Sequence, residues 1–185
     1  MSHRFGSIRQ IAFVVHDLEL ALQYWTQTLG VGPFFVLRRL SPESFRYQGK
    51  PSPPPCLSIA LGNSGDVQVE LIQQHDEQPS AYRDFLESGR EGLQHVASWL
   101  TRAEYDATMA RLLAAGAVVA HEGMVSGAGV RFAYFATDVA AGGVMYEIAD
   151  VMEPQAYPLM QMIADAAREW DGRDPVRDIP LQRPA

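Results

Sequence analysis

The chain has 185 residues, 47% of them hydrophobic and 20% charged, and a formal net charge of -7 with Lys and Arg scattered rather than clustered. That balance describes a folded globular protein and offers no electrostatic footprint for nucleic acid or an acidic membrane surface, so a small molecule is the expected partner. Cys56 is the only cysteine, which excludes an intramolecular disulfide and a thiolate zinc cluster, and no apolar run approaches the roughly 20 residues that span a bilayer; a cytoplasmic location is expected.

In chain order, "IRQIAFVV" reads as a strand and Asp17 as the cap of a helix whose Leu18, Ala21, Leu22, Trp25 and Leu29 keep helical spacing up to Gly30. Three strand patterns follow: "GPFFVLRR", "CLSIALG" and "DVQVELIQ". Between the first two lies "SPESFRYQGKPSPPP", whose Pro51, Pro53, Pro54 and Pro55 cannot join a central ladder. An extended segment at a sheet edge or over a cavity mouth is expected there, a candidate pocket lid. In "DEQPSAYRDFLESGREG", Ser80 caps a short amphipathic helix bearing Tyr82, Phe85 and Leu86, and Gly89 stops it.

The second half repeats the first. "LQHVASWL" is a strand, Thr101 and Glu104 form a capping box for a helix carrying Tyr105, Met109, Leu112 and Leu113, and Gly116 ends it. Then come the strands "AVVAHEG", "RFAYFAT" and "GVMYEIAD". His95 stands where Gln10 stands in the first copy. Glu147 stands where Glu70 does, because "GDVQVELIQ" and "GGVMYEIAD" each place a Glu at the same distance after a Val. The extra length of the first copy falls in the proline segment, which is therefore an insertion. The tail "YPLMQMIADAAREWDG" is an amphipathic helix with Leu159, Met160, Ile163, Ala167 and Trp170 on one side, and the charged end past Gly172 is expected on the surface. The expected class is α+β. Residues 1–155 form one domain of two tandem βαβββ modules, at about 7–74 and 91–151, with a helical linker at 75–90; a C-terminal helix and tail follow at 156–185.

Strand alternation puts Gln10 on a face with Ala12 and Val14, His95 with Ala97, Glu70 with Gln68, and Glu147 with Met145, while Val69, Leu71, Tyr146 and Ile148 point the other way. One cavity can receive all four polar residues. Singly, each is explained by an ordinary structural hydrogen bond or by exposure to water. Their repetition at equivalent places changes that balance. Two carboxylates buried together repel by something on the order of several kcal/mol unless a cation or proton lies between them, and a divalent metal removes that cost.

The pieces "QIAFVVHDLELALQYWTQTLG", "VELIQ", "GLQHVASW" and "YEIAD", in this duplicated arrangement, resemble the vicinal oxygen chelate superfamily over about residues 7 to 151. The resemblance implies a curved mixed-sheet cup around one divalent ion, zinc, nickel, cobalt, manganese or magnesium, held by Gln10, Glu70, His95 and Glu147, with two positions left for water or a chelating substrate. The ligand order Gln, Glu, His, Glu is similar to that of human-type glyoxalase I, whereas "SAYRDFLESGREGLQHVASW" is similar to the epimerase branch. The implied activity is proton abstraction next to a carbonyl through a metal-stabilised enediolate, by a glyoxalase I-like lyase or an acyl-CoA epimerase-like isomerase. Its substrate bears adjacent oxygens, as in a thiohemiacetal or a 2-substituted acyl thioester. By position in the resemblance Glu147 is the catalytic base, with Glu70 second.

Two other readings stay open: a small-molecule binding protein of the bleomycin-resistance type, and, less favoured, an extradiol-type dioxygenase, for which one histidine among the four positions is too few. A homodimer is expected, because similar proteins pair and Leu159, Met160 and Ile163 offer an apolar face. Arg38, Phe45 and Tyr47 are candidates for the substrate pocket, Arg38 as the partner of a substrate carboxylate. His3, His16, His75 and His121 fall outside the matching positions and are given no ligand role.

Overall fold

The computed structural model describes residues 4–137 and 143–180, so His3 lies outside the described residues. In chain order come β1 (Gln10–Val14), α1 (Leu18–Gln23), a π-helical turn (Tyr24–Thr28), β2 (Phe34–Leu40), β3 (Ser44–Tyr47), β4 (Lys50–Pro51), β5 (Leu57–Ser64) and β6 (Val67–Gln74). They are followed by α2 (Ala81–Glu87), β7 (Gly92–Trp99), α3 (Arg102–Ala114), β8 (Val119–Val125), β9 (Val130–Phe135), β10 (Met145–Ala149), α4 (Tyr157–Arg168) and β11 (Val176–Asp178).

The helix starts follow their caps. Asp17 accepts the Leu20 N–H at 3.0 Å, Ser80 the Arg83 N–H at 3.0 Å, and Thr101 and Glu104 satisfy each other's backbone donors in a capping box. Gly30 and Gly116, which close the equivalent helices, have φ of 67° and 84°, a backbone region that costs a side-chain-bearing residue energy.

The duplication becomes one curved mixed sheet ordered β11-β2-β5-β6-β1-β7-β10-β9-β8-β3-β4. At its centre β1 runs antiparallel to β7, and each is flanked by the last strand of its own half in parallel, β6 and β10. On the convex face Leu18 and Leu22 of α1 bury against Val36, Ala60, Val69 and Leu71, while Tyr105 and Leu112 of α3 bury against Ala133, Phe135 and Ile148. Two helices therefore occupy one face, and the other is left to form a cup.

Three features depart from what local patterns suggest. The inserted segment is not a free loop: β3 pairs antiparallel with β8, so a hairpin from the first half finishes the sheet edge of the second. Gly123 permits that approach, since a Cβ there would lie 2.6 Å from the Ser44 carbonyl oxygen. The expectation of an edge position holds, with Pro51 in the outermost strand. Second, α4 does not offer its apolar face to a second copy. Ile163 is fully buried against Phe35 and Leu61, with Leu159 and Met160 packed beside it, so the helix lies on the concave face of its own first half. The surface invoked for a homodimer is used within the chain. Third, residues past Gly172 return to the sheet, where β11 pairs in parallel with β2.

Among the described residues no helix is long and apolar enough to cross a membrane. Cys56 is partly buried and free.

Candidate metal centre

The register explains why four separated polar residues meet. Gln68, Gln10, Ala97, Glu147 and Tyr134 lie side by side across β6, β1, β7, β10 and β9, and Glu70, Ala12, His95 and Met145 form the neighbouring row. Each glutamate is therefore beside an alanine of a central strand, Glu70 beside Ala12 and Glu147 beside Ala97. Ala12 and Ala97 are fully buried; their short side chains leave the floor of the cup open to the longer ones on either side.

The result is a buried cluster. His95 Nε2 lies 3.1 Å from Glu147 Oε2 and 3.4 Å from Glu70 Oε2, and the ligand atoms of the three residues are all within 4.8 Å of one another. The imidazole is oriented from behind. Gln94 Nε2 donates to the Ala81 carbonyl at 3.2 Å, which turns Gln94 Oε1 to face His95 Nδ1 at 2.6 Å. An amide oxygen only accepts, so Nδ1 carries the hydrogen and Nε2 faces the two carboxylates. Tyr134 Oη is 3.2 Å from the same Nε2 and accepts a hydrogen bond from Tyr82 Oη at 2.9 Å.

The electrostatics of the cluster call for positive charge between the two carboxylates. Burial pushes the Glu70 carboxyl above its usual range, and the nearby imidazole only partly opposes this. Burial alone would also lower His95, but Glu147 and Glu70 override it and push the imidazole up to about 9. Without a metal, a proton on Nε2 supplies the positive charge that the two carboxylates demand. Among the described residues Glu147 Oε2 nevertheless has no partner beyond this 3.1 Å ion-pair approach to His95 Nε2. An imidazole lone pair, two carboxylates and an orphaned oxygen, all buried, fit a divalent cation better than they fit a proton.

Gln10 is buried on the same floor, its Nε2 donating to Gln68 Oε1 at 2.9 Å. Gln10 lines the cavity together with Glu70 and Glu147. Gln68 is held in turn by a contact from its Nε2 to Met160 Sδ at 3.4 Å.

The pocket candidates move elsewhere. Arg38 is corrected outright: its guanidinium lies on the outer surface, 2.6 Å from Glu19 Oε1 and 2.7 Å from Asp178 Oδ1, and lines no part of the cup. Phe45 is core, packed edge-on against the His121 ring at 5.3 Å. The Tyr47 hydroxyl bonds to both carboxylate oxygens of Asp84, outside the cavity. His121 is buried, accepts the Ala81 N–H at Nδ1, and is drawn down to about 3 by burial and then by the nearby His95; it is a neutral structural group. His75 Nε2 bonds Ser58 Oγ at 2.7 Å, and His16 is exposed. Tyr82, Tyr134 and Gln68 line the cavity unforeseen as site residues; the row shared with Glu147 and Gln10 is the signal that points to Tyr134 and Gln68.

Residues 9–135 match the family model described as the glyoxalase/bleomycin resistance protein/dioxygenase superfamily. The chain belongs to this superfamily. Among solved structures the fold of this superfamily member is similar to that of methylmalonyl-CoA epimerase from Mycobacterium tuberculosis, with a TM-score of 0.54 and 21% identity over 81% of this chain and 91% of that one. It is similar also to a hypothetical protein from Bacillus halodurans C-125, with a TM-score of 0.53 and 18% identity over 78% and 93% of the two chains. A search of curated proteins by sequence finds no match. Neighbours at these identities establish the fold; α4 and β11 lie beyond the residues that match the superfamily model.

Proposed function

We propose that this superfamily member is a divalent-metal-dependent enzyme that removes a proton from a carbon next to a carbonyl, as a glyoxalase I-like lyase or an acyl-CoA epimerase-like isomerase. The observation that carries the proposal is the buried convergence of His95 Nε2 with the carboxylates of Glu70 and Glu147. Gln10 is proposed as the fourth ligand through its carbonyl oxygen. A divalent cation bound there supplies a Lewis acid that stabilises negative charge on a substrate oxygen.

The chain's own residues do the rest. Glu147, whose Oε2 has no hydrogen-bond partner to release, is placed to accept the substrate proton. Glu70 faces the cavity from the other half and is placed to deliver or take a proton on the opposite side. Tyr134, its acceptor side filled by the Tyr82 hydroxyl, has its own proton to donate toward an oxygen that gains charge. Return of the proton to the same carbon gives epimerisation, and delivery to the neighbouring carbon gives a glyoxalase-type isomerisation. The row of epimerase-named structures makes acyl-CoA esters the first substrates to try, and glutathione hemithioacetals the second.

The test is solvent deuterium incorporation across both substrate sets, with metal analysis of protein purified without a histidine tag. About one divalent ion per chain and deuterium uptake in at least one substrate are expected. A protein that binds ligands without exchange, and without a stoichiometric metal, would instead be a binding protein of the resistance type.

A further inference from the structure

The cup around the centre encloses about 240 Å³, and none of its described lining residues is a lysine, arginine or histidine. Among these described residues Glu70 and Glu147 are the only charged ones; the other polar side chains, such as Gln10, Gln68, Tyr82 and Tyr134, are neutral. The walls are aliphatic and aromatic, including Leu37, Ile59, Leu61, Val130 and Phe132. Helix α4, outside the matched superfamily residues, contributes Leu159 and Met160 to the same wall.

Cations do lie close by in the fold, but outside the cup. Arg9 and Arg168 line a separate groove of about 140 Å³ together with Asp66 and Asp165; it shares Trp99 and Met160 with the cup. Arg9 lies over the Trp99 ring at 5.5 Å from its centroid, and Arg168 is paired with Asp165. The two glutamates of the centre balance a divalent cation, so no surplus positive charge remains inside for an anionic substituent. A carboxylate placed against these walls would lose its hydration without gaining a partner.

We propose, on the reading given above, that the part of the substrate lying in the cup beside its two chelating oxygens is an uncharged alkyl or aryl group rather than a carboxylate-bearing chain. An anionic portion of a longer substrate is confined to the outside of the cup. Substrate choice at this centre thus follows from the absence of wall cations as much as from the metal ligands.

Titration calorimetry on the zinc-loaded protein tests this with three chelating probes: acetohydroxamate, hexanohydroxamate and 5-carboxypentanohydroxamate. Each methylene buried in an apolar wall contributes about fourfold in affinity, so hexanohydroxamate, with four more methylenes, is expected to bind about 250-fold more tightly than acetohydroxamate. The carboxylate-ended probe is expected to lose that gain. Leu37→Lys, which places a cation in the wall away from the metal ligands, is expected to raise affinity for the carboxylate-ended probe about tenfold with zinc content unchanged. Equal or tighter binding of the carboxylate-ended probe to the native protein, or no gain with chain length, overturns the proposal while leaving the chelate reading intact. Stoichiometric zinc with no binding of any probe overturns both.

Discussion

Glu147→Gln is expected to keep the fold and most of the bound metal while turnover falls by about a hundredfold or more, the usual scale for loss of a general base. The amide retains a carbonyl oxygen for a metal, so the ligand count is preserved. What it cannot do is accept a proton. The effect should appear in kcat and in solvent deuterium exchange together, because the proposed mechanism gives the substituted atom the proton-transfer step. Exchange that persists at the native rate in the variant, with metal content intact, would transfer the role to Glu70, the other buried carboxylate within reach of His95 Nε2. Rates and metal content measured on the same preparation separate these outcomes.

Metal affinity should depend steeply on pH, and the direction follows from His95. In the metal-free protein the two glutamates hold the imidazole proton until about pH 9. A metal must displace that proton from Nε2, so its apparent affinity is expected to fall about tenfold for each pH unit below that value. Stability moves the opposite way. A histidine whose folded pKa is raised stabilises the fold fully below its unfolded value of about 6.5, and this contribution is lost as pH rises through about 9. Glu70, also raised by burial, adds to the same trend, since ionising it inside the fold costs more than ionising it in the unfolded chain. The metal-free protein should therefore melt at progressively lower temperature from neutral to alkaline pH, and the metal-loaded protein should not. Thermal melts with and without chelator check this. His95→Ala combined with Glu70→Ala should abolish both the metal content and the pH effect; unchanged metal content in that folded variant would show that other residues are the ligands.

The positions of Gln10, Glu70, His95 and Glu147 were legible because two signals coincide. Strand alternation fixes the face, and the internal repeat shows that the same face is used twice. Local caps at Asp17, Ser80 and Thr101 were legible for the same reason that they work, since each needs only its own next few residues. Arg38 obeys the alternation of its strand: Phe34 and Val36 pack under α1 while Phe35 and Leu37 face the other side, so Arg38 falls on the α1 side, where it meets Glu19. Only beyond it does the β2–β5 register shift, between Leu37 and Leu40, where Arg39 takes a φ of 51°. Phe45 and Tyr47 were misplaced because their strand pairs with β8, a partner distant in sequence that no local pattern names. β11 escaped notice because "VRD" between Pro175 and Pro180 is short and polar, with no alternation to read. Tyr82 and Tyr134 look like ordinary core aromatics until the fold brings their hydroxyls together.

The two outermost strands also bear on edge-to-edge aggregation. At one end β4 carries Lys50 and Pro51, a charge and a residue without an amide hydrogen, both of which discourage another chain from adding to the ladder. The other end has no such protection of its own. β2 begins Phe34, Phe35, Val36, Leu37, a run of strong strand formers whose open backbone would template the same run in a neighbour. Val176–Asp178 caps that row, and Asp178 anchors the cap through Arg38. Cutting the chain after Gly172 leaves the Glu70, His95 and Glu147 cluster untouched yet uncovers this edge. The shortened protein is expected to form sheet-rich aggregates on mild heating, visible by light scattering and thioflavin fluorescence, under conditions in which the full chain remains clear.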